Sequence, residues 1–86
     1  MTYTVLWKPA AEQQLARLWT EATNRGAVAA AADQIDALLA RDPLNEGESR
    51  SPPTRILIVL PLAVNFRVRE QDRIVQVQAV WRWGRA

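Results

Sequence analysis

The sequence predicts an α+β fold: an antiparallel helix hairpin packed on a four-stranded, mainly antiparallel sheet, in the order β-α-α-β-β-β. Three observations carry this. Apolar residues recur at helical spacing between residues 9 and 40. The C-terminal third, Ile56 to Trp83, reads as three strands, broken by Pro61 and by Glu70-Gln71-Asp72-Arg73. A β-branched and aromatic run, Tyr3 to Trp7, precedes the first helix. The 86 residues make one small domain, 1–86, whose apolar content of 49% suffices for a single core.

Taken in order, Lys8-Pro9 ends the first strand, and Pro9 suits the first position of a helix. That helix is predicted to run to about Thr23, with Ala11, Leu15, Leu18 and Ala22 at 4, 3, 4 spacing and Trp19 beside them. Glu12, Gln13, Arg17 and Glu21 fall mostly on the other side. Asn24-Arg25-Gly26 is a stop, with Gly26 available for a left-handed cap. A second helix is predicted from about Ala27 to Ala40, where Val28, Ala32, Ile35 and Leu39 repeat the spacing and the alanines at 29–32 allow close helix approach. Arg41-Asp42-Pro43 ends it. Leu44 to Thr54 is rich in turn formers and reads as a surface loop. Ile56 to Leu60, uniformly apolar, suits a central strand covered on both faces. The first strand is expected to pair beside the first or the last strand of the meander.

The final hairpin can be registered from the sequence. With residues 70–73 as the loop, Arg69 opposes Ile74, Val68 Val75, Arg67 Gln76, Phe66 Val77, Asn65 Gln78 and Val64 Ala79. Apolar then meets apolar and polar meets polar. Val64, Phe66, Val68, Val75, Val77, Ala79 and Trp81 would share a buried face. Asn65, Arg67, Arg69, Gln76, Gln78 and Arg82 would share a polar one, where function is expected. Trp7 and Trp19 belong at the helix–sheet interface; Trp83 suits either the core or a partner.

Composition narrows the chemistry. Cysteine and histidine are absent, which removes thiolate nucleophiles, the usual zinc ligands and the commonest general base. No cofactor and no metal is expected. No run approaches a membrane span, and MTYTVLWKPAAEQQ does not read as a signal peptide, so a cytoplasmic protein fits. Residues 1–49 hold four basic and seven acidic side chains, net −3; residues 50–86 hold seven arginines against Glu70 and Asp72, net +5. The sheet half is the basic half, and arginine forks well to phosphate. Codon bias can account for the number of arginines but not for their placement.

The strand and helix of YTVLWKPAAEQQLARLW, and above all VNFRVREQDRIVQVQAVWR, resemble the RelE/ParE superfamily of bacterial toxins, the toxins of type II toxin–antitoxin and plasmid stabilisation modules. The resemblance covers nearly the whole chain and is most specific where the aromatic-arginine pair Phe66-Arg67 enters the hairpin. It implies a toxin neutralised by a cognate antitoxin and acting through ribosome-dependent mRNA cleavage, as a metal-free endoribonuclease, or through DNA gyrase. It implies catalytic roles for Arg67 and Arg82, both as electrostatic stabilisers. Asn65, Arg69, Gln76, Gln78, Trp83 and Arg85 are the candidate RNA- or target-binding residues, and Arg85 is an alternative match to Arg82. The lysines that RelE-like members carry before the aromatic-arginine pair are missing from ILIVL, and the C-terminal tyrosine has no match. A general base would have to come from Glu46, Glu48, Glu70 or Asp72. These departures favour an alternative, a non-catalytic protein-binding module on the same fold. A small α+β structural domain is a third reading.

Overall fold

A computed structural model describes residues 2–51 and 53–84. The order is β1 (Thr4–Trp7), α1 (Pro9–Glu21), α2 (Arg25–Arg41), a 3-10 turn (Pro43–Asn45), β2 (Glu48–Ser51), β3 (Thr54–Val59), β4 (Leu62–Arg69) and β5 (Ile74–Arg82). The α+β class holds, with one strand more than expected: the sheet has five strands in the order β1-β5-β4-β3-β2. β1 lies parallel to β5 and every other pair is antiparallel. Of the two positions open to β1, it takes the one beside the last strand.

The helices start and stop where local chemistry dictates. Pro9 occupies the first turn of α1, where its missing N–H costs nothing. Asn24, not Gly26, marks the junction: its side chain accepts from Ala27 N at 3.0 Å, so α2 begins at Arg25 and Gly26 lies inside its first turn. Arg25 reaches back to the end of α1, donating to the Trp19 and Thr20 carbonyls at 3.2 and 2.9 Å, and its guanidinium lies 4.8 Å from the Trp19 ring centre.

Both helices cover one face of the sheet. Ala11 of α1 and Val28, Ala31, Ala32, Ile35 and Leu39 of α2 meet Leu57, Leu62, Val64, Phe66, Val75, Val77 and Val80 in the core. This is the 4, 3, 4 stripe of each helix set against the inward residues of the strands. The helices do not close on each other along their length: a groove of about 670 Å³ runs between them, floored by Leu15, Ala16, Ala29 and Ala32. At its rim Trp7 Nε1 donates to Asp36 Oδ1 at 2.6 Å, tying β1 to α2.

Three expectations change. First, the segment 44–54 is not all loop. Residues Glu48–Ser51 form β2, with Glu48 opposite Ile56 and Ser49 opposite Arg55. Arg55 brackets the entry, donating to the Glu46 and Gly47 carbonyls at 3.0 and 3.2 Å. Second, β3 is not covered on both faces. Only Leu57 is buried in it, Ile58 is exposed, and Leu60, in the turn with the cis Leu60–Pro61 bond, is 70% exposed. Third, the register of the β4–β5 hairpin holds from Arg69/Ile74 to Phe66/Val77 and then shifts by one. Asn65 opposes Ala79 and Val64 opposes Val80, so Gln78 is the extra residue of a β-bulge.

The bulge changes which side chains face which way. Val75 and Val77 are buried, and after the bulge Val80 is, rather than Ala79. The physical cause lies outside the hairpin. β1 ends at Trp7, opposite Val77, so β5 runs on without a strand partner on that side. Gln14 of α1 fills the gap, its Oε1 accepting from Val80 N at 3.0 Å. Replacing Gln14 with leucine should leave a buried N–H unpaired, at a cost of about 1–3 kcal/mol. Hydrogen exchange at the Val80 amide should then accelerate while the Val75 amide stays protected, and Gln14→Glu, which keeps an acceptor, should preserve protection at both.

Candidate functional site

The face of the sheet away from the helices is open, and strand pairing arranges it in rows, since directly opposed residues share a face. One row runs Leu6, Gln76, Arg67, Thr54 across β1, β5, β4 and β3. On one side of it lie Thr4, Ile74 and Arg69. On the other lie Ala79, Asn65, Ile56 and Glu48, and then Trp81, Ala63 and Ile58. Among the described residues, Arg67 and Arg69 are exposed and carry this face's positive charge, and Glu48 is the acid whose register puts it here, two strands from Asn65.

The row arrangement explains two details. Ala63 is fully buried although it lies on the open face, because Trp81 and Ile58 flank it. Asn65 sits between Ile56 and Ala79, and its Oδ1 is buried with no hydrogen-bond partner among the described residues. A buried acceptor left unpaired is costly, so the row holds Asn65 at some expense to stability.

The expected site residues divide. Asn65, Arg67, Arg69 and Gln76 come together on the open face. Gln78 has no partner on β4, being the bulge residue. Trp81, expected in the core, joins the open face half-buried, a platform on which a flat group can stack. Trp83 is 43% exposed just past β5, its N–H bonded to the Pro61 carbonyl at 2.9 Å. Arg85 lies outside the described residues. Arg82, expected beside Arg67, is on the other side of the sheet: it pairs with the buried Leu62, five residues along β4 from Arg67, or roughly 17 Å. There it lines a cavity of about 370 Å³ with Leu18, Glu21, Val28, Leu60 and Leu62. The structure therefore does not bring Arg67 and Arg82 to one point.

Of the acids considered as a base, Glu70 and Asp72 are in the exposed β4–β5 turn, where Arg73 adopts φ 53° and its guanidinium lies 5.2 Å from the Tyr3 ring centre. Glu46 precedes β2. Sequence reasoning missed Gln14 and Arg55, which direct the strands, because each acts on a backbone group outside its own element.

No protein-family model matches the chain, and no curated protein matches it. Solved structures do. A chain of the RelBE2 toxin–antitoxin complex from Mycobacterium tuberculosis superposes with a TM-score of 0.80 at 20% identity, over 96% of this chain and 93% of that one. The fold is that of the RelE and ParE toxins. A chain of the chromosomal ParDE system of P. aeruginosa gives 0.73 at 18% identity, over 95% and 97%. The isolated E. coli RelE toxin gives 0.61 at 12% identity, over 98% and 87%. A chain of TrmO from P. aeruginosa gives 0.62 at 20% identity, over 92% of this chain and 33% of that one.

Proposed function

We propose that this chain is the toxin component of a type II toxin–antitoxin pair, held inactive by a cognate antitoxin. The observation that carries the reading is the likeness to a chain of a toxin–antitoxin complex over nearly the full length of both. The open sheet face is the target-binding surface. Arg67 and Arg69 supply charge for an anionic target, Asn65 and Gln76 offer amides, and Trp81 offers a ring. Growth inhibition then runs through the ribosome and its mRNA or through DNA gyrase, in the cytoplasm.

A second reading is favoured by one observation. Arg67 and Arg82 lie on opposite sides of the sheet, so the two cations expected as electrostatic stabilisers do not converge. Cutting RNA at its 2′-hydroxyl needs a base, an acid and cations about one phosphate. The arrangement suits a protein that binds and blocks better than one that cleaves.

Expression of the chain alone in a bacterial host tests both. Growth arrest that is relieved by the product of the adjacent gene supports the toxin reading; normal growth at full expression sinks it for that host. Arg67→Ala and Arg69→Ala should each weaken the target complex by roughly 10–100-fold, the worth of one charge-assisted hydrogen bond. Their combination should restore growth. Arrested translation with cut mRNA identifies a nuclease, arrested translation with intact mRNA a ribosome blocker, and SOS induction a gyrase poison.

A further inference from the structure

Arg82 lies behind the sheet, in a cavity that the open face does not share. The cavity sits where the end of α1, the start of α2 and the β3–β4 turn meet. Its wall is mostly apolar: Leu18 from α1, Ala22 just past its end, Val28 from α2, Leu62 from β4. At about 370 Å³ it falls within the range of ligand sites and has room for one large side chain. The Arg82 side chain makes no hydrogen bond, ion pair or ring contact with any described residue.

The rim is apolar as well. Leu60, which lines the mouth, is 70% exposed. A large exposed side chain at the mouth of an apolar cavity extends the surface beyond the cavity itself. It is what a protein partner buries, with a charge waiting at the edge. The bulge is what creates the arrangement. Without the one-residue shift at Gln78, Arg82 would project to the face that Arg67 occupies. The Gln14–Val80 bond therefore commits Arg82 to the cavity.

We propose that this cavity is a docking site for a protein segment in which a large apolar side chain is followed by a carboxylate. The apolar side chain fills the space between Leu18, Val28 and Leu62. The carboxylate pairs with Arg82. Leu60 packs against the backbone of the segment. Glu21, at the same cavity, opposes the carboxylate and sets a ceiling on the affinity. This goes beyond the toxin reading and does not depend on it, because the open face takes no part.

The test is titration of the ¹⁵N-labelled chain, followed by NMR, with a blocked tetrapeptide of sequence alanine–phenylalanine–glutamate–alanine. A counterpart with lysine for glutamate and decanoate, an apolar carboxylate with no peptide backbone, are titrated in parallel. The glutamate peptide should shift the amides of Ala22, Val28 and Leu62 and leave Arg67 and Gln76 unmoved. It should bind about three- to fivefold more tightly than the lysine peptide, as a partly exposed ion pair allows. Arg82→Gln should abolish that preference, Arg82→Lys should retain it, and Glu21→Gln should tighten the glutamate peptide. Equal binding of the two peptides to the wild-type chain overturns the proposal. So do shifts confined to the open face, and so does decanoate filling the cavity while neither peptide enters. Growth assays bear on the toxin reading alone, so the two can fail separately.

Discussion

Phe66→Ala is expected to cost about 3–5 kcal/mol, which for a chain of this size is a large part of its stability. Phe66 is the largest fully buried side chain, and it lies on β4, the strand between β5 and β3. Its neighbours in the core, Val64, Val75, Val77 and Ile35, are themselves fully buried. A void at that point is enclosed by strands on both sides and by α2 above, so little can collapse into it. The cost therefore includes the cavity as well as the lost transfer energy. Urea unfolding followed by tryptophan fluorescence should show the midpoint falling with the slope unchanged. Phe66→Leu, which keeps most of the volume, should lose a fraction of that. A midpoint within error of wild type for Phe66→Ala would place the centre of the core elsewhere.

Gly47→Ala should release the edge of the sheet while sparing its centre. Gly47 has φ +69°, where an L side chain costs roughly 1–2 kcal/mol. A Cβ there would also lie 2.2 Å from the Ile56 carbonyl oxygen and 2.8 Å from its carbon. Those atoms belong to the backbone of β3, which is held on its far side by β4, so they cannot retreat as a flexible side chain would. The chain must move instead, and the bonds from Arg55 to the Glu46 and Gly47 carbonyls go with it. Hydrogen exchange should show protection lost along β2 and the facing edge of β3, and kept along β4 and β5. Retained protection at Glu48 and Ser49 would refute this account of why a glycine stands at that position.

Gly47 also marks where sequence reasoning stopped. Glu48-Ser49-Arg50-Ser51 has no β-branched or aromatic residue, and nothing in its composition signals a strand. It pairs because β3 offers an edge and because the glycine and Arg55 deliver the backbone to it. The helices, by contrast, were legible from their 4, 3, 4 stripes, since burial against a sheet demands that spacing. The hairpin was legible for as long as its pairing was local. From Arg69/Ile74 to Phe66/Val77 the register follows from the turn and the matched faces. At Gln78 the sequence favours the unshifted pairing, Asn65 with Gln78 and Val64 with Ala79. It is overridden by the α1 glutamine that takes the Val80 amide.

That override is also why the expected site came only half together. Asn65, Arg67, Arg69 and Gln76 precede the bulge or pair across it without crossing, and they share the open face as read from alternation. Arg82 and Trp81 follow it, and they exchange sides. A sequence pattern with period two carries a single extra residue as a sign reversal for everything beyond it. No local preference in VQVQAVWR announces the reversal.

The pairing of β1 with β5 has a consequence for when this molecule comes into being. β1 is the first strand to leave the ribosome, and its neighbour in the sheet, β5, is the last of the five. Throughout synthesis of residues 8–73 the first strand has no edge to join. The Tyr3 amide, which bonds to the Ala40 carbonyl, can dock on α2 earlier, but the parallel ladder must wait. β4, which carries Arg67, likewise waits for β5 to complete its far side. A nascent chain whose β5 is still inside the exit tunnel thus lacks the assembled open face. The surface that carries Arg67 and Arg69 comes into being only when β5 emerges, however early the two helices form.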